Sequence, residues 1–242
     1  MSNPNTSIPD AFYEHFNADK PTKIGGWLVR TSYQMIFDLV RPDAGSNVLE
    51  IGPGRGPFAD LCLQKGIQYF AVEPNAAMAE SLEKRGATVV RAMVPPLPEM
   101  GRSFDLAVML AVLEHMNTMR EALEIVQQIG RALKPGGKIL VYVPDYINMG
   151  RNFFNCDFSH NYVTTRRRVS QLLTNAGYRN VKSYYLSGPV RGLPCVVLTG
   201  IVARMPFGFL NAIFPNNRVI HKLYKLQLTF SRKVIVVAEW PS

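Results

Sequence analysis

The sequence predicts an α/β fold, doubly wound around a mostly parallel sheet. Three observations carry that expectation. Short apolar runs such as NVLEI (47–51) and FDLAVML (104–110) have the continuous hydrophobicity of strands buried on both faces. Amphipathic stretches with helical spacing alternate with those runs, as right-handed βαβ crossovers require. Between the first run and the next helix stand Gly52, Gly54 and Gly56, suited to a sharp strand-to-helix corner.

In order along the chain, residues 11–20 and 27–40 read as helices with aromatic faces, separated by DKPTKIGG. NVLEI is the first strand. PFADLCLQKG is a helix, with Pro57 in its first turn and Gly66 past its end. QYFAV is the second strand. NAAMAESLEKRG is a helix capped by Asn75 and closed by Gly86. ATVVRAM is the third strand, followed by a proline-rich loop, and FDLAVML is the fourth. The helix from Asn117 ends at KPGG, and KILVYVP is the fifth strand. Beyond residue 150 come a helix in TTRRRVSQLLTNAGY and strands in VKSYYLS and RKVIVVAEW. Between those strands, residues 188–230 fit no βα unit.

Composition narrows the class. A chain of 242 residues with 47% apolar content can bury one sizeable core. Cys62, Cys156 and Cys195 are odd in number and widely spaced, and His15, His115, His160 and His221 form no ligand pair at helical spacing. These patterns predict no disulfide framework, no structural metal and a reducing, cytoplasmic setting. The first ten residues lack the basic and apolar regions of a secretion signal. Charge is lopsided: residues 1–150 hold 14 Lys and Arg against 16 acids, and residues 151–242 hold 13 against two, Asp157 and Glu239. A strongly basic last third points to an anionic substrate, an anionic membrane surface or nucleic acid.

The glycine corner can bring backbone N–H groups and a helix N-terminus close to a ligand. Glu73, ending the second strand in AVEPN, can accept hydrogen bonds from two ribose hydroxyls. A ribose-bearing cofactor follows. The dinucleotide fingerprint needs Gly or Ala three residues after the second glycine, where Pro57 stands, so NAD is disfavoured.

LEIGPGRGPFA, AVEPN, SFDLAVMLAVLEHM and ALKPGGKILVYVPD, in this order, resemble the class I S-adenosylmethionine-dependent methyltransferases, most closely the bacterial small-molecule group of types 11 and 12. The resemblance covers about residues 45–186 and returns at RKVIVVAEW. It implies a Rossmann-like seven-stranded sheet with an antiparallel last strand. Residues 1–44 would then be a helical cap, 45–187 and 231–242 the cofactor-binding domain, and 188–230 an insertion. By the same resemblance Glu50, Gly52, Pro53 and Gly54 would line the methionine part of S-adenosylmethionine. Glu73, followed by Pro74, would hold the ribose, and Leu110 and Ala111 would pass beneath the cofactor. Arg30 or Tyr33 would meet its carboxylate. Where the family often has an acid for the adenine amino group, this chain has Ala92 and Met93. Adenine would therefore be read by backbone groups and packed against Met93 and the prolines.

An oxygen nucleophile must lose its proton, and a base of near-neutral pKa suits that step. His160, in DFSHNY, and His115, in LEHM, are the candidates. The loop after strand four lacks the Asn/Asp-Pro-Pro-aromatic motif of amino-methylating nucleic-acid enzymes, and no RNA-binding module is recognisable. The expected acceptor is a small or lipid-like molecule, anionic or amphiphilic, with nucleic acid set aside. The alternatives are an RNA methyltransferase and a catalytically silent cofactor-binding scaffold at a membrane. Within the insertion, LPCVVLTGIVARMPFGFLNAIF has one charge, Arg204, and is followed by Arg218, Lys222 and Lys225. That composition suits a lid over the acceptor, a peripheral contact with the inner membrane through 193–230, or a homodimer contact.

Overall fold

The structure, a computed structural model, describes residues 23–241; the helix expected at 11–20 lies outside the described residues. Helix α1 (Lys23–Val40) starts earlier than the aromatic pattern suggests. Gly25 and Gly26 stand near the beginning of its described length, before the aromatic face that starts at Trp27.

Strands β1 (Asn47–Ile51), β2 (Gln68–Val72), β3 (Thr88–Val90), β4 (Phe104–Leu110) and β5 (Leu133–Pro144) pair in parallel. Strand β8 (Lys233–Glu239) enters antiparallel between β5 and β6 (Arg179–Ser187). The seven foreseen strands are joined by a two-residue strand, β7 (Val190–Arg191), which folds back on β6. The sheet order is β3-β2-β1-β4-β5-β8-β6-β7.

Alternation along the strands builds two cores. Leu49, Ile51, Ile139 and Val141 face helices α4 (Met119–Ala132) and α7 (Arg166–Asn175), through Ile125, Ile129, Val169 and Leu173. Val48, Val108 and Leu140 point the other way, onto Phe37 of α1, Phe58 and Cys62 of α2 (Pro57–Gln64) and Leu82 of α3 (Ala76–Glu83). With both faces covered, these strands read as unbroken apolar runs.

Two boundaries differ from expectation. KPGG does not lie outside strand five: β5 starts at Leu133, and its register slips between the Phe104–Leu133 and Leu106–Lys138 pairs. A Cβ on Gly137 would lie 2.8 Å from the Lys134 carbonyl oxygen and 3.0 Å from that of Phe104, so the backbones meet too closely for a side chain. Two short helices, α5 (Tyr146–Met149) and α6 (Asn152–Asn155), follow β5, and the segment 188–230 is mostly helical, with α8 (Gly192–Val202), α9 (Phe207–Ile213) and α10 (Arg218–Thr229). The stretch Gly192–Ile213 is long and apolar enough to cross a membrane by length and composition. Pro206 and the turn before it break it into two helices.

Candidate active site

The strand-to-helix corner lies at the carboxyl edge of the parallel strands, where doubly wound folds open their crevice. The Gly52 N–H continues the sheet by donating to the Val72 carbonyl (2.9 Å). Gly56 caps α2 at φ 71°. A Cβ there would lie 2.5 Å from Leu82 Cδ2 and 2.9 Å from the Arg85 guanidinium, so both conformation and space require glycine. Gly54 has φ 55°, and a Cβ built on it meets only Met78 Sδ within 4 Å. Its backbone is therefore open to close approach. Glu73 ties the corner to β2: the Gly54 N–H donates to Oε2 (3.0 Å) and the Asn75 N–H to Oε1 (2.9 Å). The carboxylate is buried, and each oxygen keeps acceptor capacity beyond these bonds. Burial raises the Glu73 pKa, while the two backbone donors oppose that rise.

Behind the corner, Glu50 accepts a hydrogen bond from the Tyr69 hydroxyl (2.5 Å). Burial pushes the Glu50 carboxyl up to about 8, the Tyr69 bond holding it down and the Glu73 charge adding to the rise. Burial and the Glu50 and Glu114 charges raise Tyr33 far above its ordinary value. Tyr142 is raised by burial, then by Tyr33 and Glu114. These groups share one poorly hydrated polar region, which carries a pH prediction. Unfolded, Glu50 loses its proton near 4.5; folded, near 8. Between those values the folded chain holds more protons, so the Glu50 contribution to stability is lost as pH rises through that window. Glu50→Gln has no proton to lose. Its thermal midpoint, by calorimetry on cofactor-free protein, should match the parent at pH 4.5 and exceed it increasingly up to pH 8. A constant offset would contradict the assignment.

After β4, Ala111 adopts φ 59° with its N–H donating to the Tyr142 carbonyl (2.8 Å). A left-handed non-glycine residue here is strain of the kind found at ligand crevices. The 3₁₀ turn Leu113–His115 follows. The Glu114 carbonyl accepts the N–H groups of Asn161 and Tyr162 (both 3.0 Å), bringing the 157–162 loop onto this turn. The rings of His115 and His160 thereby lie 5.0 Å apart. His160 Nδ1 is 2.6 Å from the Phe153 carbonyl oxygen, which only accepts, so Nδ1 carries the proton and Nε2 a lone pair. Ser159 Oγ donates to Asp157 Oδ1 (2.6 Å) and so accepts from His115 Nδ1 (2.8 Å), leaving the same tautomer on His115. Burial lowers both histidine pKa values, so both imidazoles are neutral near pH 7. Glu114 is 1% exposed, its Oε2 has no hydrogen-bond partner among the described residues, and burial raises its carboxyl to about 8. Glu114, His115 and His160 are thus the described residues that could hold a metal ion, their ligand atoms lying within 4.8 Å of one another. The spacing argument against a histidine pair did not foresee this, because the two histidines meet across 45 residues of chain.

The profile of a family described as a methyltransferase domain matches residues 17–183. The chain belongs to that family. Its members are class I S-adenosylmethionine-dependent methyltransferases. A Bos taurus methyltransferase relative, named a probable tRNA methyltransferase 9B, is 25% identical over 150 residues, covering 62% of this chain and 32% of that protein. An uncharacterized methyltransferase of Mycolicibacterium gilvum is 29% identical over 131 residues, covering 50% of each chain. The chain thus spans between about a third and half the length of these curated relatives. Among solved structures, a methyltransferase in complex with the Haloferax volcanii Trm112 activator superposes with TM-score 0.66 at 15% identity, covering 96% of this chain and 97% of that one. The Haemonchus contortus phosphoethanolamine N-methyltransferase 2, with phosphomonomethylethanolamine and S-adenosylhomocysteine, gives 0.65 at 18% identity over 98% and 58%. At these identities the superpositions speak for the fold. Setting nucleic acid aside on sequence grounds finds no support in these methyltransferases, since one relative is named for tRNA.

The residues present fit S-adenosylmethionine, the family's methyl donor: a buried carboxylate with acceptor capacity adjoins a glycine whose backbone can be approached. Pro53 is buried in the corner, its carbonyl accepting the Gly56 N–H (2.9 Å), and Pro74 is half-buried beside Glu73. Met93 is 43% exposed, three residues past β3 at the start of the loop that leads to β4. The Leu110 side chain is buried in the core against α1 and α2, and Ala111 is exposed. Arg30 is exposed on α1, whereas Tyr33 is the α1 residue close to Glu50. Sequence reasoning missed Glu114, Tyr142, Asp157, Ser159 and Lys233. Burial lowers the Lys233 amine to about 8, and it donates to Ser231 Oγ (2.6 Å). A lysine opening an apolar strand was the available signal for it.

Proposed function

We propose that this methyltransferase moves a methyl group to an oxygen of a small or lipid-like acceptor, with a preference for anionic or amphiphilic molecules. The observation that carries the reading is the pair of neutral imidazoles, His115 on the turn after β4 and His160 on the 157–162 loop, whose rings lie 5.0 Å apart with the lone pair of each on Nε2. S-Adenosylmethionine supplies an electrophilic methyl on a sulfonium. Glu73 and the Gly54 backbone bind its ribose and methionine ends, with Glu50, Gly52 and Pro53 behind them. His160, aided by His115, acts on the acceptor hydroxyl so that its oxygen is free to attack in line.

The segment 188–230 supports an amphiphilic acceptor. Leu193, Phe209 and Val219 are 76%, 68% and 66% exposed, and the segment carries Arg191, Arg204, Arg218, Lys222 and Lys225 with no acid. Exposed apolar side chains among cations suit an anionic lipid surface from which such an acceptor is taken. A second reading, tRNA methylation, draws support from the Bos taurus relative's name and from the basic last third of the chain. Incubating the protein with methyl-labelled S-adenosylmethionine and a cell lysate, then separating organic, small-molecule and RNA fractions, distinguishes the readings. Label is expected in the organic or small-molecule fraction. Label confined to tRNA would replace the small acceptor with RNA; no transfer despite cofactor binding would leave a silent scaffold.

A further inference from the structure

We propose that Glu114, His115 and His160 form a divalent-cation site in the acceptor pocket. The proposal rests on the acceptor reading above and deepens it. Three observations of different kinds converge. The ligand atoms already lie within 4.8 Å of one another. The Glu114 carboxylate is 1% exposed, with Oε2 partnerless among the described residues, and a buried carboxylate oxygen left so is costly. Both imidazoles are oriented by the bonds that metal-bound histidines usually make: Nδ1–H to the Phe153 carbonyl on His160, and Nδ1–H to Ser159 Oγ, itself bonded to Asp157, on His115. Each ring thus turns an Nε2 lone pair away from its anchor. A purely structural cluster would place a donor against Oε2, and none of the described residues does so.

Two imidazoles and one carboxylate suit a borderline ion such as Mn²⁺, Zn²⁺, Fe²⁺ or Co²⁺ better than Ca²⁺, which takes six to eight oxygens. Asp157 behind Ser159 and Lys233 beside Glu114 are the nearby charges, of opposite sign. Three protein ligands leave coordination positions open for an acceptor hydroxyl. Bound there, the hydroxyl loses its proton to solvent more readily. Its oxygen then forms the new O–C bond as the donor's S–C bond breaks, giving the methyl ether and S-adenosylhomocysteine, with the ion unchanged. The histidines therefore act on the acceptor through the ion.

The test is titration of the chelator-treated protein with Mn²⁺, following loss of the free-ion paramagnetic signal. Mn²⁺ avoids recruiting Cys156, whose Sγ is 4.0 Å from His160 Nδ1. Saturable, single-site binding is expected. Ser159→Ala should weaken it about 10–100-fold, as loss of an outer partner does, and Glu114→Gln by more. S-Adenosylhomocysteine affinity, measured in parallel, should hold in both variants and so shows that they fold. Absence of Mn²⁺ binding at millimolar levels, or binding unchanged in both variants, overturns the cation site. If S-adenosylhomocysteine still binds, the methyl-transfer reading survives that result; loss of S-adenosylhomocysteine binding by the parent protein would strike the methyl-transfer reading instead.

Discussion

Glu73→Ala is expected to weaken S-adenosylhomocysteine binding by about 10²–10⁴-fold in a calorimetric titration. Hydrogen bonds to a charged group contribute about 1.5–3 kcal/mol each, and a ribose diol offers two. Each factor of ten in affinity corresponds to about 1.4 kcal/mol. The substitution also removes the acceptor that holds the Gly54 and Asn75 N–H groups (3.0 and 2.9 Å), so the corner loses its tie to β2 as well as its ligand contact. Glu73→Gln separates these effects: it keeps the side chain's length and one acceptor oxygen, and should fall between parent and alanine variant. Affinity within threefold of the parent in Glu73→Ala would remove Glu73 from the cofactor site.

His160→Ala should lower turnover by about 10²–10⁴-fold while leaving S-adenosylhomocysteine affinity nearly unchanged. The two effects separate because His160 lies on the 157–162 loop, whereas the corner residues and Glu73 lie at the carboxyl ends of β1 and β2. The ring packs at 4.8 Å from Phe153 and is 8% exposed, so truncation also leaves a cavity. His160→Gln is the companion variant, since its amide can still donate toward the Phe153 carbonyl. Recovered stability without recovered turnover in the glutamine variant would assign the loss to chemistry. Full turnover in either variant would take His160 out of the mechanism.

Much of the fold was legible because buried parallel strands leave a strong trace. FDLAVML coincides with β4 and QYFAV with β2, residue for residue. Asn75, Thr118 and Thr165 cap α3, α4 and α7 through side-chain oxygens. These are local features: apolar periodicity, capping chemistry and glycine at positive φ act over a few residues, and a linear pattern records them. The third strand was read too long because its alternating pattern runs on after Val90, while only Thr88–Val90 finds partners on β2. The glycine corner and Glu73 were equally readable, since 17 residues and one βα unit separate Gly56 from Glu73.

The sequence alone determined the strand order of chemistry along the chain, the glycine corner and the acid that ends β2. Only the tertiary structure decided that Glu114 and His115 meet His160, and that Tyr33 rather than Arg30 lies against Glu50. The first contact joins segments about 45 residues apart and exists because the Glu114 carbonyl captures the Asn161 and Tyr162 N–H groups; the second depends on which face α1 packs against the sheet. Burial, which suppresses charge on Glu50 and Glu114, is likewise a property of the packed chain: the same carboxyl groups in an open chain would ionise near 4.5.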